Sequence, residues 1–255
     1  MIYLLIFIFG SMIGSFLNVC IYRIPRSESI VFPGSRCTHC KKAIHWYDNI
    51  PLVSYCLLGM KCRSCKEKIS PRYFLVELLS AAVFLTLYIF FGMTYNFLIY
   101  SLLCFSLIVV SFIDLEFQII PDRISIGGIF VGLLASAFFP GLHNVLVWKL
   151  SMIRSLLGII IGGGSIYLMG VIGNLVFRKE SMGGGDVKLM AMLGAFLGWE
   201  KAILIFFLAP FLGTPPGLYL KFTKKSDIIP YGPFISLASF IVIIWGNKII
   251  SLICF

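Results

Sequence analysis

The chain has 255 residues, 59% of them hydrophobic and 13% charged, with a net charge of +10 and a mean hydropathy of +0.98. A soluble domain carries about 25% charged residues, so this composition excludes an ordinary soluble globular protein and describes an integral membrane protein. The basic residues track the ends of the apolar segments, as they do in membrane proteins, which argues against nucleic-acid binding.

The first segment, MIYLLIFIFGSMIGSFLNVCIY, has no basic residue before its apolar run and no small-residue cleavage site after a short apolar core. It reads as a retained helix, not a cleaved signal peptide. Spanning the hydrocarbon takes about 20 mostly apolar residues. The chain offers eight candidate segments, at about 1–22, 73–92, 95–113, 124–140, 153–177, 189–199, 201–220 and 232–252. The expected fold is therefore all-α and polytopic, with about eight transmembrane helices and no fixed-period repeat. In the seventh segment Pro210, Pro215 and Pro216 interrupt the backbone ladder that a membrane helix must satisfy internally, which predicts a break there.

Placing the N-terminus outside gives loops 23–72, 114–123, 178–188 and 221–231 an inner location, with 10, 1, 3 and 3 Lys plus Arg. Those sum to 17, against four outside, Lys149, Arg154, Lys201 and Lys248. The positive-inside rule favours this orientation. It also puts Asp114 and Asp122, Asp186, and Asp227 in loops on the cytoplasmic side.

The one sizeable polar region, 23–72, is too small for an independent core without a staple. It contains Cys37, Cys40, Cys62 and Cys65, spaced C-x2-C-x21-C-x2-C. Two such knuckles bring four thiolates together in a tetrahedral structural zinc shell. Nearby Lys41, Lys42, Lys61 and Arg63 favour the thiolate form, and a cytoplasmic location disfavours disulfides. His39 or His45 could replace a ligand, but four cysteines already close the shell and leave no open position for substrate. The expected division is residues 1–22 as first helix, 23–72 as zinc loop and 73–255 as the remaining membrane domain. Cys20, Cys56, Cys104 and Cys254 are isolated and read as small apolar residues.

Ionisable residues inside a membrane are functional candidates by default. Asp114 ends the apolar run FSLIVVSFI, and Asp122 follows Pro121, where it can equally cap the next helix. Asp186 follows Gly183, Gly184 and Gly185 and opens DVKLMAMLGAFLGW. Glycines permit unusual dihedrals and close approach. Two carboxylates brought together share a proton, so that one serves as base and the other as acid. That pairing can activate water against a peptide carbonyl. No Gly-Lys-Ser/Thr follows the glycines, so a Walker phosphate loop is excluded. Lys188 is expected to point away from Asp186 and to serve as a positive-inside anchor.

These stretches together resemble one family. GSFLNVCIYRIP at residues 14–25, the four cysteines flanking NIPLVSY, ISPRYFLVELLS, SFIDLEFQIIPD, GGGD and IPYGPFISLAS are similar to the signatures of bacterial prepilin peptidases. Those are bifunctional GxGD aspartic leader peptidases and N-methyltransferases of type IV pilus and type II secretion systems. The resemblance implies a multi-pass enzyme of the bacterial inner membrane whose catalytic face is cytoplasmic. It implies prepilin or pseudopilin substrates, catalytic aspartates at Asp114 and Asp186, and supporting roles for Asp122, Gly183 and Gly185. Asp122 is the second choice to pair with Asp186.

The resemblance also implies methylation of the new N-terminus from S-adenosylmethionine, with the activity in the zinc loop and adjacent helix ends. No Rossmann-type glycine motif is present for the methyl donor. Candidate methyl-transfer residues are Asn18, Arg23, Glu28, Arg72 and Glu77. Each has a simpler reading. The arginines can anchor helix ends, Asn18 can bond between helices, and Glu77 needs a partner such as Arg72 or Arg23. Rival readings are a peptidase without methyltransferase activity, a proton- or cation-coupled transporter, and a non-catalytic scaffold of a secretion complex.

Overall fold

The computed structural model describes residues 1–177, 182–224 and 230–253. Asp227 and Cys254, and the basic residues Arg178, Lys179 and Lys225 of the charge count, lie outside them. The chain forms two compact units, Met1–Val109 and Val110–Phe255.

In the first unit, helix α1 (Ile2–Arg23) is apolar until its last turn, and Pro25 follows directly. The polar loop carries one short helix, α2 (Val53–Leu57). Helix α3 (Pro71–Phe91) starts where Ser70 caps it by accepting from the Arg72 N–H at 3.3 Å, with Pro71 at its first position. It ends at Gly92, whose φ is +59°. Helices α1 and α3 pack along a stripe of small residues. A Cβ on Gly14 would stand 2.7 Å from the Glu77 Cα, and one on Gly10 2.9 Å from the Ala81 Cα. Gly10 and Gly14 thus form a Gly-x-x-x-Gly contact, which draws backbones together in lipid, where burial alone supplies little attraction. Helix α4 (Tyr95–Phe117) begins in this unit, where Phe97 and Phe105 pack on Phe84 with ring centroids 4.7 and 5.6 Å apart.

The second unit contains the end of α4 with α5 (Asp122–Phe138), α6 (Trp148–Phe177), α7 (Gly184–Leu197), α8 (Trp199–Lys224) and α9 (Gly232–Ile253). Helix α7 is its centre, in contact with α5, α6, α8 and α9, and every residue from Leu189 to Leu197 is buried. A helix apolar on all sides needs such an enclosed place. Polar bolts tie it to its neighbours. Ser155 of α6 donates to the Ala195 carbonyl at 2.7 Å and the Ser136 hydroxyl of α5 lies 3.2 Å from the same carbonyl, while Ser151 joins α6 to α5 by donating to the Ser136 carbonyl at 2.7 Å.

The eight apolar segments thus appear as eight long helices, and among the described residues no strand forms. Five are long and apolar enough to cross a membrane: α1, α3, α4, α6 and α9. Of the eight expected spans, five are candidates among the described residues by length and composition. Helices α5 and α7 have only 17 and 14 residues, less than the ~20 a crossing needs. The predicted break at Pro215 and Pro216 is also corrected, since α8 runs through all three prolines. The Thr214 hydroxyl donates to the Pro210 carbonyl at 2.6 Å, a local adjustment of the kind that lets membrane helices carry proline.

The α1–α3 contact is tested by a matched pair. Gly14→Ala should lower the unfolding free energy in detergent by about 1–3 kcal/mol. Gly164→Ala in α6, where a Cβ meets open space, should cost nothing. Thermal melts followed by circular dichroism compare them.

Candidate active site and metal centre

The four cysteines sit on two knuckles of the same construction. In the first, the Cys37 N–H donates to the Lys42 carbonyl, the Lys41 N–H to Cys37 and the Ile44 N–H to Ser35. In the second, the Cys62 N–H donates to Glu67, the Lys66 N–H to Cys62 and the Ile69 N–H to Met60. Each bond recurs 25 residues later. So does the left-handed residue after the second cysteine, Lys41 at φ +61° and Lys66 at φ +59°. So does the bridge closing each knuckle, Arg36 with Ala43 and Lys61 with Lys68. A two-fold repeat is thus present where the sequence suggested none. It was hidden because only the cysteines, a lysine and an isoleucine are shared between SRCTHCKKAI and MKCRSCKEKI.

All four sulfurs lie within 4.8 Å of one another, with Cys37 Sγ and Cys65 Sγ 3.9 Å apart. Tetrahedral zinc with bonds of about 2.3 Å places sulfurs about 3.8 Å apart, so the set fits that ion. The N–H groups of Cys65 and Ser64 point at Cys62 and hold its thiol down at about 6, which favours the ligating thiolate. Of the other described cysteines, Cys20 and Cys104 are buried and Cys56 is exposed.

Beside the knuckles, the ends of α1 and α3 and the polar loop enclose a cavity of about 330 Å³. Asn18, Arg23 and Glu77 line it, while Glu28 and Arg72 do not. Arg23 is buried and donates to the carbonyls of Ser29 at 2.9 Å and Gly34 at 3.1 Å. It staples the start of the loop, which corrects the headgroup-anchor reading. Glu28 pairs with Arg36 at 3.4 Å on the surface, and the Arg72 guanidinium lies over the Tyr73 ring. Glu77 takes neither expected arginine. It accepts the Leu52 N–H at 2.7 Å and a hydrogen bond from Ser15. Asn18 does bond between helices, donating to the Tyr73 carbonyl at 3.0 Å. Its Oδ1 is buried without a hydrogen-bond partner.

In the second unit the carboxylates sort themselves. Asp114 lies in the last turn of α4, only 6% exposed, and its Oδ2 accepts the Gly232 N–H at 2.9 Å. Asp186 is the third residue of α7. Its carboxylate accepts the N–H of Gly183, the residue capping the helix, which is the acidic half of a capping box. Asp186 is close enough to Asp114 for their charges to interact, and Tyr231 senses the charge of Asp186. Asp122 stands apart. Its side chain is 58% exposed and takes Lys188 Nζ at 2.7 Å. Asp122 does not cap α5, whose N-cap is Pro121. Lys188, expected to be only an anchor, is the partner that occupies Asp122.

The glycine run acts mainly through space. Among positive-φ residues none is Gly183, Gly184 or Gly185, so the unusual dihedrals expected from the sequence are not used. A Cβ on Gly185 would lie 2.9 Å from the Ile120 Cβ, so this glycine admits the turn before α5. Gly232 is a site residue that sequence reasoning missed. A Cβ there would stand 2.8 Å from Asp114 Oδ2. The signal was present in YGPF, where proline one residue inside the start of α9 marks a helix N-terminus with free N–H groups.

Two protein-family models match the chain. Residues 8–91 match the bacterial peptidase A24 N-terminal domain, and residues 101–218 match the type IV leader peptidase family. A prepilin leader peptidase/N-methyltransferase of Pseudomonas aeruginosa is 34% identical over 266 residues, covering 94% of this chain and 89% of the relative. The chain belongs to the type IV leader peptidase family. A prepilin leader peptidase/N-methyltransferase of Legionella pneumophila is 33% identical, with 98% of this chain and 93% of the relative aligned. One of Myxococcus xanthus is 38% identical over 84% of this chain, which spans 62% of that relative's length. No solved structure matches. The first family match ends with α3 at residue 91, and the second begins inside α4 at residue 101.

The metal centre has a direct test. The purified leader peptidase should carry about one zinc per chain, measured by mass spectrometry of the eluted metal. Cys37→Ser combined with Cys62→Ser should abolish it, and an equally ordered loop without metal would contradict the assignment.

Proposed function

We propose that this enzyme cleaves the leader peptide of type IV prepilins or pseudopilins at the cytoplasmic face of the bacterial inner membrane, and then methylates the new N-terminus. The observation that carries the peptidase half is that Asp114, held by the Gly232 N–H at the start of α9, lies within charge-interaction range of Asp186, and neither forms an ion pair with a basic side chain among the described residues. The names of the relatives support the substrate, and the Lys and Arg distribution supports the cytoplasmic face.

Two adjacent carboxylates share one proton. The ionised member takes a proton from a water held between them, and the oxygen of that water attacks the scissile carbonyl. The protonated member gives its proton to the carbonyl oxygen. As the tetrahedral intermediate collapses, the C–N bond breaks and the leaving amine takes a proton from the dyad. No covalent acyl-enzyme forms. The Gly232 N–H fixes the Asp114 carboxylate and the Gly183 N–H fixes that of Asp186, so neither needs to reorganise during attack.

The zinc loop and cavity support the methyltransferase half. S-adenosylmethionine, when bound, would supply an electrophilic methyl group to the new amine. A closed shell of four thiolates has no position for substrate, so the role proposed for the metal is to hold the loop.

Asp114→Asn and Asp186→Asn should each abolish cleavage of a prepilin in detergent, followed by gel shift, while retaining zinc and helix content. Near-normal cleavage by either would sink the dyad. Gly232→Ala displaces Asp114 without altering either acid, and should slow cleavage by about 100-fold. Asp122→Asn should keep cleavage within about tenfold of the parent, because its partner is a surface lysine.

A further inference from the structure

We propose that the second unit binds one small anion, the size of chloride, at the end of α7 remote from Asp186. A cavity of about 20 Å³ lies there, between the turn Pro140–His143, the first turns of α6, the junction of α7 with α8, and Asn247 of α9. That volume holds one water-sized occupant and is too small for a phosphate group. Helix α7 has 14 residues, so about 20 Å of helix separates the cavity from Asp186, and its occupant takes no part in cleavage.

Its walls carry cations and donors. Of the four basic residues that the charge count leaves outside the inner loops, Arg154 and Lys201 line it. Lys201 is only 7% exposed, with its stem beside Gly246 of α9. No carboxylate pairs with Lys201 or Arg154 among the described residues, and a buried ammonium needs a counter-charge. Glu200 also lines the cavity. Adjacent helix positions do not face each other, however, and one carboxylate against two cations leaves an excess of positive charge.

His143 is the residue that points to a ligand. It is 4% exposed, and its Nδ1 is buried with no hydrogen-bond partner among the described residues. That nitrogen faces Gly198, where a Cβ would stand 3.0 Å from it, directly before the first residue of α8. On the other side of the ring, Nε2 lies 2.8 Å from the Ser136 hydroxyl. With Ser136 donating there, the ring proton sits on Nδ1 and is offered to the cavity. The first N–H groups of α8 stand at the same place without partners in their own helix, and the helix dipole favours an anion beside them. Water would satisfy the donors but leave the charge of Lys201 and Arg154 unbalanced. A halide-sized anion does both, and ties the turn, α6 and α8 to one centre.

The test uses the zinc-loaded full chain in detergent, with chloride as probe and gluconate holding the ionic strength constant. Between zero and about 300 mM chloride the melting temperature should rise by about 4 °C and then level off. Lys201→Met and His143→Phe should each cut that rise to less than about 1 °C. A wild-type melting temperature that ignores chloride overturns the proposal, as does a rise that either variant keeps in full. Stabilisation by phosphate or by phosphatidylglycerol, where chloride has no effect, would mark a larger ligand and overturn it too. Should a variant fail to fold, wild-type crystals soaked in bromide decide. An anomalous peak within hydrogen-bonding distance of His143 Nδ1 supports the site, and a cavity without one overturns it.

Discussion

An anion placed in or beside lipid must be compensated, and this chain does so with backbone N–H groups instead of basic side chains. Asp114 is held by Gly232, Asp186 by Gly183, Glu77 by Leu52 and Cys62 by Cys65 and Ser64. A backbone donor orients a carboxylate and lowers the cost of burying it without neutralising it as a lysine would. The contrast is Asp122, which is exposed and paired with Lys188. In three of the four cases the donor stands at a helix N-terminus, Gly232 of α9, Gly183 of α7 and Leu52 of α2, where uncommitted N–H groups exist. That placement explains why the chemistry collects at the termini of α4, α7 and α9 in one unit and of α1 and α3 in the other.

Close backbone approach is the companion constraint. A Cβ would collide at Gly232 beside Asp114 and at Gly185 beside Ile120. The same economy joins α1 to α3 through Gly10 and Gly14. Glycines in this chain are spent on distance far more than on dihedral freedom, since only Gly59, Gly92 and Gly198 have positive φ.

Much of this was legible before any coordinates. Apolar runs located all eight long helices, because hydropathy in a membrane protein is a property of contiguous segments. The knuckle spacing announced the metal cluster, because ligand geometry is local. The start of α7 was not legible, since the helix begins at Gly184, five residues before its apolar run. Partners were the least legible feature. Glu77 could be known to need compensation, but nothing in the order of residues says that Leu52, in a polar loop 25 positions earlier, supplies it. Gly232 was passed over for the same reason, since a backbone donor leaves no side-chain signature.

The doubled knuckle has a consequence for how the polar loop holds its shape. Each copy brings two thiolates, which is half a shell, and a single copy has neither a core nor a complete ligand set of its own. Order in the loop would be collective once a metal ion completes the shell, because the ion would join the two copies and each would become rigid with the other. A segment of this kind has no stable half-built state, so its wall of the cavity is either present in full or missing altogether.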